Sequence, residues 1–321
     1  MLLNVGVIGA GAMGTAISQC IAQNTNKLLL YARRKEICDD INNSRTNCEY
    51  HPGVKLHDNI IAVNDLSKLK DVDIIFLCIP SSVMRKTMVE LNDIVSDKCI
   101  FVSTAKGIEN KTNKRMSEVI EEETGKSAVV LSGPNIASEM MKNLPSATTI
   151  ASIKKKDLKI VENVLATPKL KVNINHDVIG TEFCGIIKNI LAISQGICKG
   201  MGINDNAKFA VFTKSYNETK NIIEKLGGNK STVDDYCGFG DIITASTLNV
   251  SRNHTLGIWY GQGVYLDEQT GVLFEGKNTA IVLKEICDKL NIECLTVNFV
   301  YEVIILKKSP KKAFYELWEK L

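Results

Sequence analysis

Near its start the chain carries a short apolar run, Asn4-Val-Gly-Val-Ile8, that passes directly into Gly9-Ala-Gly11-Ala-Met-Gly14 and then into a helix-like stretch from Thr15 to Asn24. Few patterns constrain a fold as tightly. A strand, a G-x-G-x-x-G turn and a helix start form the phosphate-binding unit of a doubly wound α/β sheet. The first glycine makes the tight turn, the second lets the backbone approach a pyrophosphate, and the third permits close helix–strand packing. The helix N-terminus then offers free N–H groups and a positive dipole end to the phosphates. The competing reading is a packing turn without ligand, and the position of the loop at the head of an alternating α/β chain favours dinucleotide binding.

Further apolar runs at Leu28–Tyr31, Asp73–Ile79 (stopped by Pro80), Cys99–Ser103 and Ala128–Leu131 continue the strand pattern, and Ala147–Ala151 and Leu170–Val172 extend it. Continuous apolar strands separated by helices predict a parallel sheet covered on both faces. After about residue 178 long helical patterns take over, punctuated by Gly227-Gly228 and Gly261-Gln-Gly263. The expected architecture is α/β: an N-terminal Rossmann-like doubly wound sheet, residues 1–178, followed by an all-helical C-terminal substrate-binding and catalytic domain, residues 179–321. In such folds the site is expected in the crevice between the domains.

Composition narrows the function classes. With 321 residues, a net charge of +3, 45% hydrophobic and 23% charged content, the chain is an ordinary globular protein, and no block of like charge suggests a nucleic-acid partner. The densest run, Lys154-Lys-Lys156, reads as a solvated loop. None of the ten cysteines forms a C-x-x-C pair, and His51, His57 and His176 are dispersed, so no metal site is expected. Free cysteines in apolar runs suit a reducing compartment. No signal peptide pattern is visible, and no apolar run reaches the roughly 18 residues that span a bilayer. A cytoplasmic protein is expected, with a homodimer as the default oligomer.

The end of the second strand bears on cofactor choice. NAD sites usually place a carboxylate there for the ribose 2′-hydroxyl. Here Leu30-Tyr-Ala32 runs into Arg33-Arg34-Lys35. Two arginines suit a 2′-phosphate, so the cofactor reading is NADPH or NADH, with NADPH favoured. The chemistry-bearing candidates lie elsewhere. Lys188 sits in an apolar helical run, Cys184–Ile193, where an unpaired ammonium is costly and a partner or a snorkelling path is needed. Asp241, after Gly240, is a candidate charge partner or a helix cap. Ser251-Arg252-Asn253 offers a guanidinium fork and polar side chains suited to a phosphate. Thr244, one turn after Asp241, would face the same place. His254 invites a general-base reading, but nothing in the sequence orients its imidazole.

Ser103-Thr-Ala-Lys106-Gly-Ile-Glu109, Leu131-Ser-Gly-Pro-Asn135-Ile-Ala-Ser-Glu139, Tyr50-His-Pro-Gly53, Phe274-Glu-Gly276 and the block from Gly185 to Asn253 join the glycine loop in one ordered set. Over nearly its whole length the chain resembles the NAD(P)-dependent glycerol-3-phosphate dehydrogenases of the bacterial soluble type. The resemblance implies an enzyme that reversibly reduces dihydroxyacetone phosphate to sn-glycerol 3-phosphate and so supplies glycerophospholipid synthesis. It implies Lys188 as the catalytic proton donor or acceptor, and Lys106 as a contact to both cofactor and substrate. Gly133, Asn135, Asp241, Thr244, Ser251, Arg252 and Asn253 would bind substrate. Gly9, Gly11, Ala12, Met13, Gly14, Arg33, Arg34, Ala137, Arg252, Leu273 and Glu275 would bind cofactor. The chain departs from the family pattern at Met13, at Thr213-Lys-Ser-Tyr-Asn-Glu218 and at Cys237-Gly-Phe-Gly240, without losing a candidate catalytic residue. The alternatives are another two-domain reductase, of the 2-hydroxyacid or ketopantoate type, and a non-catalytic dinucleotide sensor.

Overall fold

The computed structural model describes residues 2–248, 251–265 and 275–321, which fall into two compact units, Met1–Ala105 with Lys114–Val178, and Lys106–Asn113 with Ile179–Leu321. Lys106–Asn113, assigned from the sequence to the first domain, packs with the second. Ile108 explains why, because it is buried in the same cluster as the apolar side chains of the C-terminal helices.

The first unit is built on an eight-stranded sheet: β1 (Leu3–Ile8), β2 (Thr25–Tyr31), β3 (Ile60–Val63), β4 (Ile74–Leu77), β5 (Ile100–Ser103), β6 (Val129–Ser132), β7 (Ser146–Ala151) and β8 (Leu170–Asn175), in the order β3-β2-β1-β4-β5-β6-β7-β8. Its helices are α1 (Ala12–Ile21), α2 (Lys35–Asp39), α3 (Ser81–Asn92), α4 (Met116–Thr124), α5 (Ala137–Met141) and α6 (Lys155–Leu165). Apolar side chains on the two sheet faces enter separate buried clusters, as continuous apolar strands require. Two features differ from the sequence reading. β3 was not recognised, and β7 runs antiparallel to β6 while β8 parallels β7. A parallel connection needs a crossover of a dozen or more residues, usually through a helix. The β6–β7 connection, residues 133–145, reaches that length but its only helix is the five-residue α5, too short to carry the chain back along the strands, and β7 starts from the end at which β6 finished.

The second unit is helical, with α7 (Val178–Gly200), α8 (Asp205–Lys225), α9 (Asp241–Thr247), α10 (Arg252–Gly261), α11 (Glu275–Lys289), α12 (Leu295–Ile304) and α13 (Pro310–Trp318). No described helix is long and apolar enough to cross a membrane. α7 and α10 cross almost backbone to backbone. A Cβ on Gly196 would stand 2.2 Å from the His254 carbonyl oxygen, on Gly257 2.2 Å from that of Ile193, and on Gly261 2.3 Å from that of Ile197. The crossing fixes the start of α10 relative to α7, the helix that carries Lys188. The unusual 213–218 stretch leaves α8 unbroken. Glu218 is buried and accepts from the Leu295 and Thr296 N–H groups at 2.9 and 3.0 Å, closing the N-terminus of α12 from a neighbouring helix.

Candidate active site

In the first unit the glycine loop has the expected geometry. Gly9 has φ +104°, a region that favours glycine, and a Cβ on Gly14 would lie 1.8 Å from the Gly9 carbonyl oxygen. A Cβ on Gly11 would meet nothing within 4 Å among the described residues, so the backbone is open to a ligand there. The N-cap of α1 is Gly11, which makes no side-chain cap, and this leaves the first-turn N–H groups for an anion. The loop therefore fits a dinucleotide pyrophosphate.

A second segment, which includes the Tyr50-His-Pro-Gly53 motif, braces it, a role the sequence did not reveal. Asn47 donates through Nδ2 to the Ala10 carbonyl at 3.0 Å and to Thr15 Oγ1 at 2.9 Å, and His51 Nε2 bonds the Ala12 carbonyl at 2.8 Å. Both side chains are buried. Met13 packs, half-buried, against the core of this unit. Arg33 and Arg34 follow β2 and are exposed. Arg34 Nη2 lies 2.6 Å from both carboxylate oxygens of Glu49. Arg34 thus already holds a carboxylate, while Arg33 is exposed beside it.

Gly133 and Asn135 lie after β6, and Ala137 opens α5. Gly133 is required because a Cβ would stand 2.9 Å from Thr148 Cα. The Asn135 side chain donates to the Ala147 carbonyl at 3.1 Å and accepts from Thr148 Oγ1 at 3.1 Å. Both bonds tie this loop to β7.

In the second unit, Lys188 on α7, Lys106 and Asp241 on α9 form one cluster. Lys188 Nζ lies 2.6 Å from Asp241 Oδ1 and Lys106 Nζ lies 2.5 Å from Asp241 Oδ2. The Asp241 side chain is only 3% exposed, so neither ion pair is much weakened by solvent. Asn189, next to Lys188, donates to the Lys106 carbonyl at 3.2 Å and fixes that backbone. Burial pushes the Lys106 ammonium down to about 8, opposed by the Asp241 charge and assisted by that of Lys188. Asp241 is the first residue of α9, and its carboxylate serves the two lysines. Thr244 donates to the Gly240 carbonyl at 2.7 Å, which leaves its oxygen free to accept only.

At the start of α10, Ser251 Oγ accepts from the His254 N–H at 3.4 Å as the helix cap, Arg252 is exposed, and Asn253 Oδ1 accepts from the Gly276 N–H at 3.3 Å. Ser251 thus caps the helix, and Asn253 retains its amide as donor. His254 is buried and its ring is held low by burial, then by Lys199 and Lys208. Glu275 opens α11, while Leu273 lies outside the described residues.

A dinucleotide-binding sheet joined to a helical unit with a buried lysine–aspartate–lysine cluster defines a nicotinamide-linked dehydrogenase. Comparison with known proteins makes the class specific. Residues 4–158 match the NAD-dependent glycerol-3-phosphate dehydrogenase N-terminus and residues 177–315 the corresponding C-terminus. The glycerol-3-phosphate dehydrogenase [NAD(P)+] of Clostridium botulinum is 35% identical over 317 residues, 98% of this chain and 96% of that protein. That of Methanothermobacter thermautotrophicus is 37% identical over 302 residues, 94% and 92% of the two chains. The crystal structure of glycerol-3-phosphate dehydrogenase from Coxiella burnetii superposes with a TM-score of 0.92 at 29% identity, covering 99% of each chain. The chain belongs to the NAD-dependent glycerol-3-phosphate dehydrogenase family.

Proposed function

We propose that the enzyme reversibly reduces dihydroxyacetone phosphate to sn-glycerol 3-phosphate with NADH or NADPH, and that Lys188 handles the proton. The observation that supports this most is the pairing of both Lys188 and Lys106 with the buried carboxylate of Asp241. Reducing a ketone requires a hydride at carbon and a proton at the developing alkoxide. When bound, the nicotinamide supplies the hydride. Lys188 stabilises the alkoxide charge and delivers the proton, while Asp241 keeps the ammonium in place. Lys106 adds a second positive charge on the same carboxylate, and Asn189 holds its backbone. Arg252 suits the substrate phosphate, because its guanidinium is exposed at a helix start and offers a fork. In the first unit, Gly9, Gly11, Gly14, Ala12 and Met13 form the pyrophosphate cradle, and Arg33 lies at the ribose end. The product would feed glycerophospholipid synthesis.

The test is loss of reduced-nicotinamide absorbance that depends on dihydroxyacetone phosphate, followed across pH. The reduction should slow as pH rises through about 8, where Lys106 gives up its proton and its positive charge beside Asp241 is lost. The folded state releases that proton between about 8 and the ordinary value of 10.5, before the unfolded chain does, so this group's contribution to stability rises with pH across the same window. No substrate-dependent absorbance loss from folded protein would refute the proposed activity.

A further inference from the structure

The segment that braces the glycine loop also carries an acidic side chain to its rim. Asn47 and His51 are fixed on the carbonyls of Ala10 and Ala12, and the His51 N–H donates to the Asn47 carbonyl at 2.8 Å, closing a tight turn. Glu49 stands in that turn, between two buried anchors, and its position relative to the glycine loop is therefore set. Its partner, Arg34, follows β2, whose last residue Tyr31 accepts from the Gly9 N–H at 3.1 Å. The Arg34–Glu49 pair thus joins the two segments that flank the loop. In a doubly wound fold the end of the second strand is where the adenosine ribose is recognised. Arg34 and Glu49 side chains are 46% and 49% exposed, so the pair does little for stability. Its consequence is for charge at the ribose end.

The geometry points to Glu49 as a cofactor-selectivity residue: it occupies the Arg34 guanidinium and places a carboxylate where the 2′-phosphate of NADPH would come, lowering the preference for NADPH over NADH. This rests on the assignment of the glycine loop as the dinucleotide site. Arg33 stays available to a 2′-phosphate, so NADPH is still accepted. Arg34 can join it only by leaving Glu49, and the carboxylate then repels the phosphate. NADH carries no charge at that position and is indifferent to the exchange.

The experiment is a titration of substrate-free protein with NADPH and with NADH, followed by nicotinamide fluorescence, for the wild type, Glu49→Gln and the double variant Glu49→Gln/Arg34→Gln. Glu49→Gln should bind NADPH about five- to tenfold more tightly, the scale of an exposed charge pair acting on a phosphate, with NADH changed less than about twofold. The double variant should lose that gain, because the released guanidinium is its source. Thermal midpoints should agree among the three proteins. A ratio of NADPH to NADH affinity unchanged in Glu49→Gln, equal shifts for both cofactors, or a gain that survives loss of Arg34 would overturn the role of Glu49. Failure of the wild type to bind either dinucleotide would instead overturn the glycine-loop assignment.

Discussion

Asp241→Asn is expected to lower turnover by about 10²- to 10³-fold, the range seen when a preorganised electrostatic group is removed from a reacting centre. The amide keeps the size of the side chain and removes its charge. Two ammonium groups whose side chains are 15% and 17% exposed then face a neutral neighbour. Loss of the carboxylate removes the charge that opposes the lowering of the Lys106 pKa, so the pH limb of the reduction should move to lower pH, and part of the lost rate should return on acidification. The same change removes one partner of a buried ion cluster, which costs about 3 kcal/mol unless the lysines deprotonate. Denaturant unfolding at pH 6 and pH 9 separates the two responses, because the penalty should shrink at the higher pH. Wild-type turnover with an unmoved pH limb would exclude Asp241 as the common counter-charge.

Gly257→Ala should be among the most damaging single methyl additions in the second unit. Its Cβ would stand 2.2 Å from the Ile193 carbonyl oxygen and 2.9 Å from Gly196 Cα, and backbone, unlike a side chain, cannot turn aside. α7 and α10 have to separate, at a cost of about 3 kcal/mol or more, the upper end for overpacking a well-filled site. The displacement also moves the start of α10, and Arg252 with it, relative to Lys188. The KM for the phosphate-bearing substrate should therefore rise in whatever fraction remains folded. Chemical denaturation gives the first quantity and steady-state kinetics the second. Unchanged stability would mean that the two helices do not meet as closely as described.

Much of this was legible in the sequence, for identifiable reasons. The glycine loop, the central strands and the switch to helices near residue 178 follow from local pattern, and the structure has β1, β2, β4, β5 and β6 where the apolar runs lie. β3, Ile60–Val63, was missed although it is as long as β4, β5 and β6; unlike them it is an edge strand, with Ile61 44% exposed. The reversed direction of β7 was missed because strand direction depends on what the connection can span, which apolarity does not encode. Lys188 was conspicuous as a charge in an apolar helix, and Asp241 was its candidate partner. That Asp241 also holds Lys106 depends on a contact across 135 positions of sequence, invisible to any spacing rule. Asn47 escaped notice, and the role of His51, seen as part of Tyr50-His-Pro-Gly53, stayed hidden for the same reason, since each reaches the glycine loop from nearly 40 residues away. Arg34 was read from its residue type alone, and its engagement with Glu49 is a property of the folded turn.

The central claim is that Lys188 delivers the proton and is not needed to hold the dinucleotide. The most direct measurement is turnover of Lys188→Ala with dihydroxyacetone phosphate at saturating reduced nicotinamide, paired with the cofactor dissociation constant of the same protein. Turnover should fall by about 10² or more, with the cofactor bound within about twofold of wild type. Turnover retained within a few-fold of wild type would contradict the assignment of Lys188.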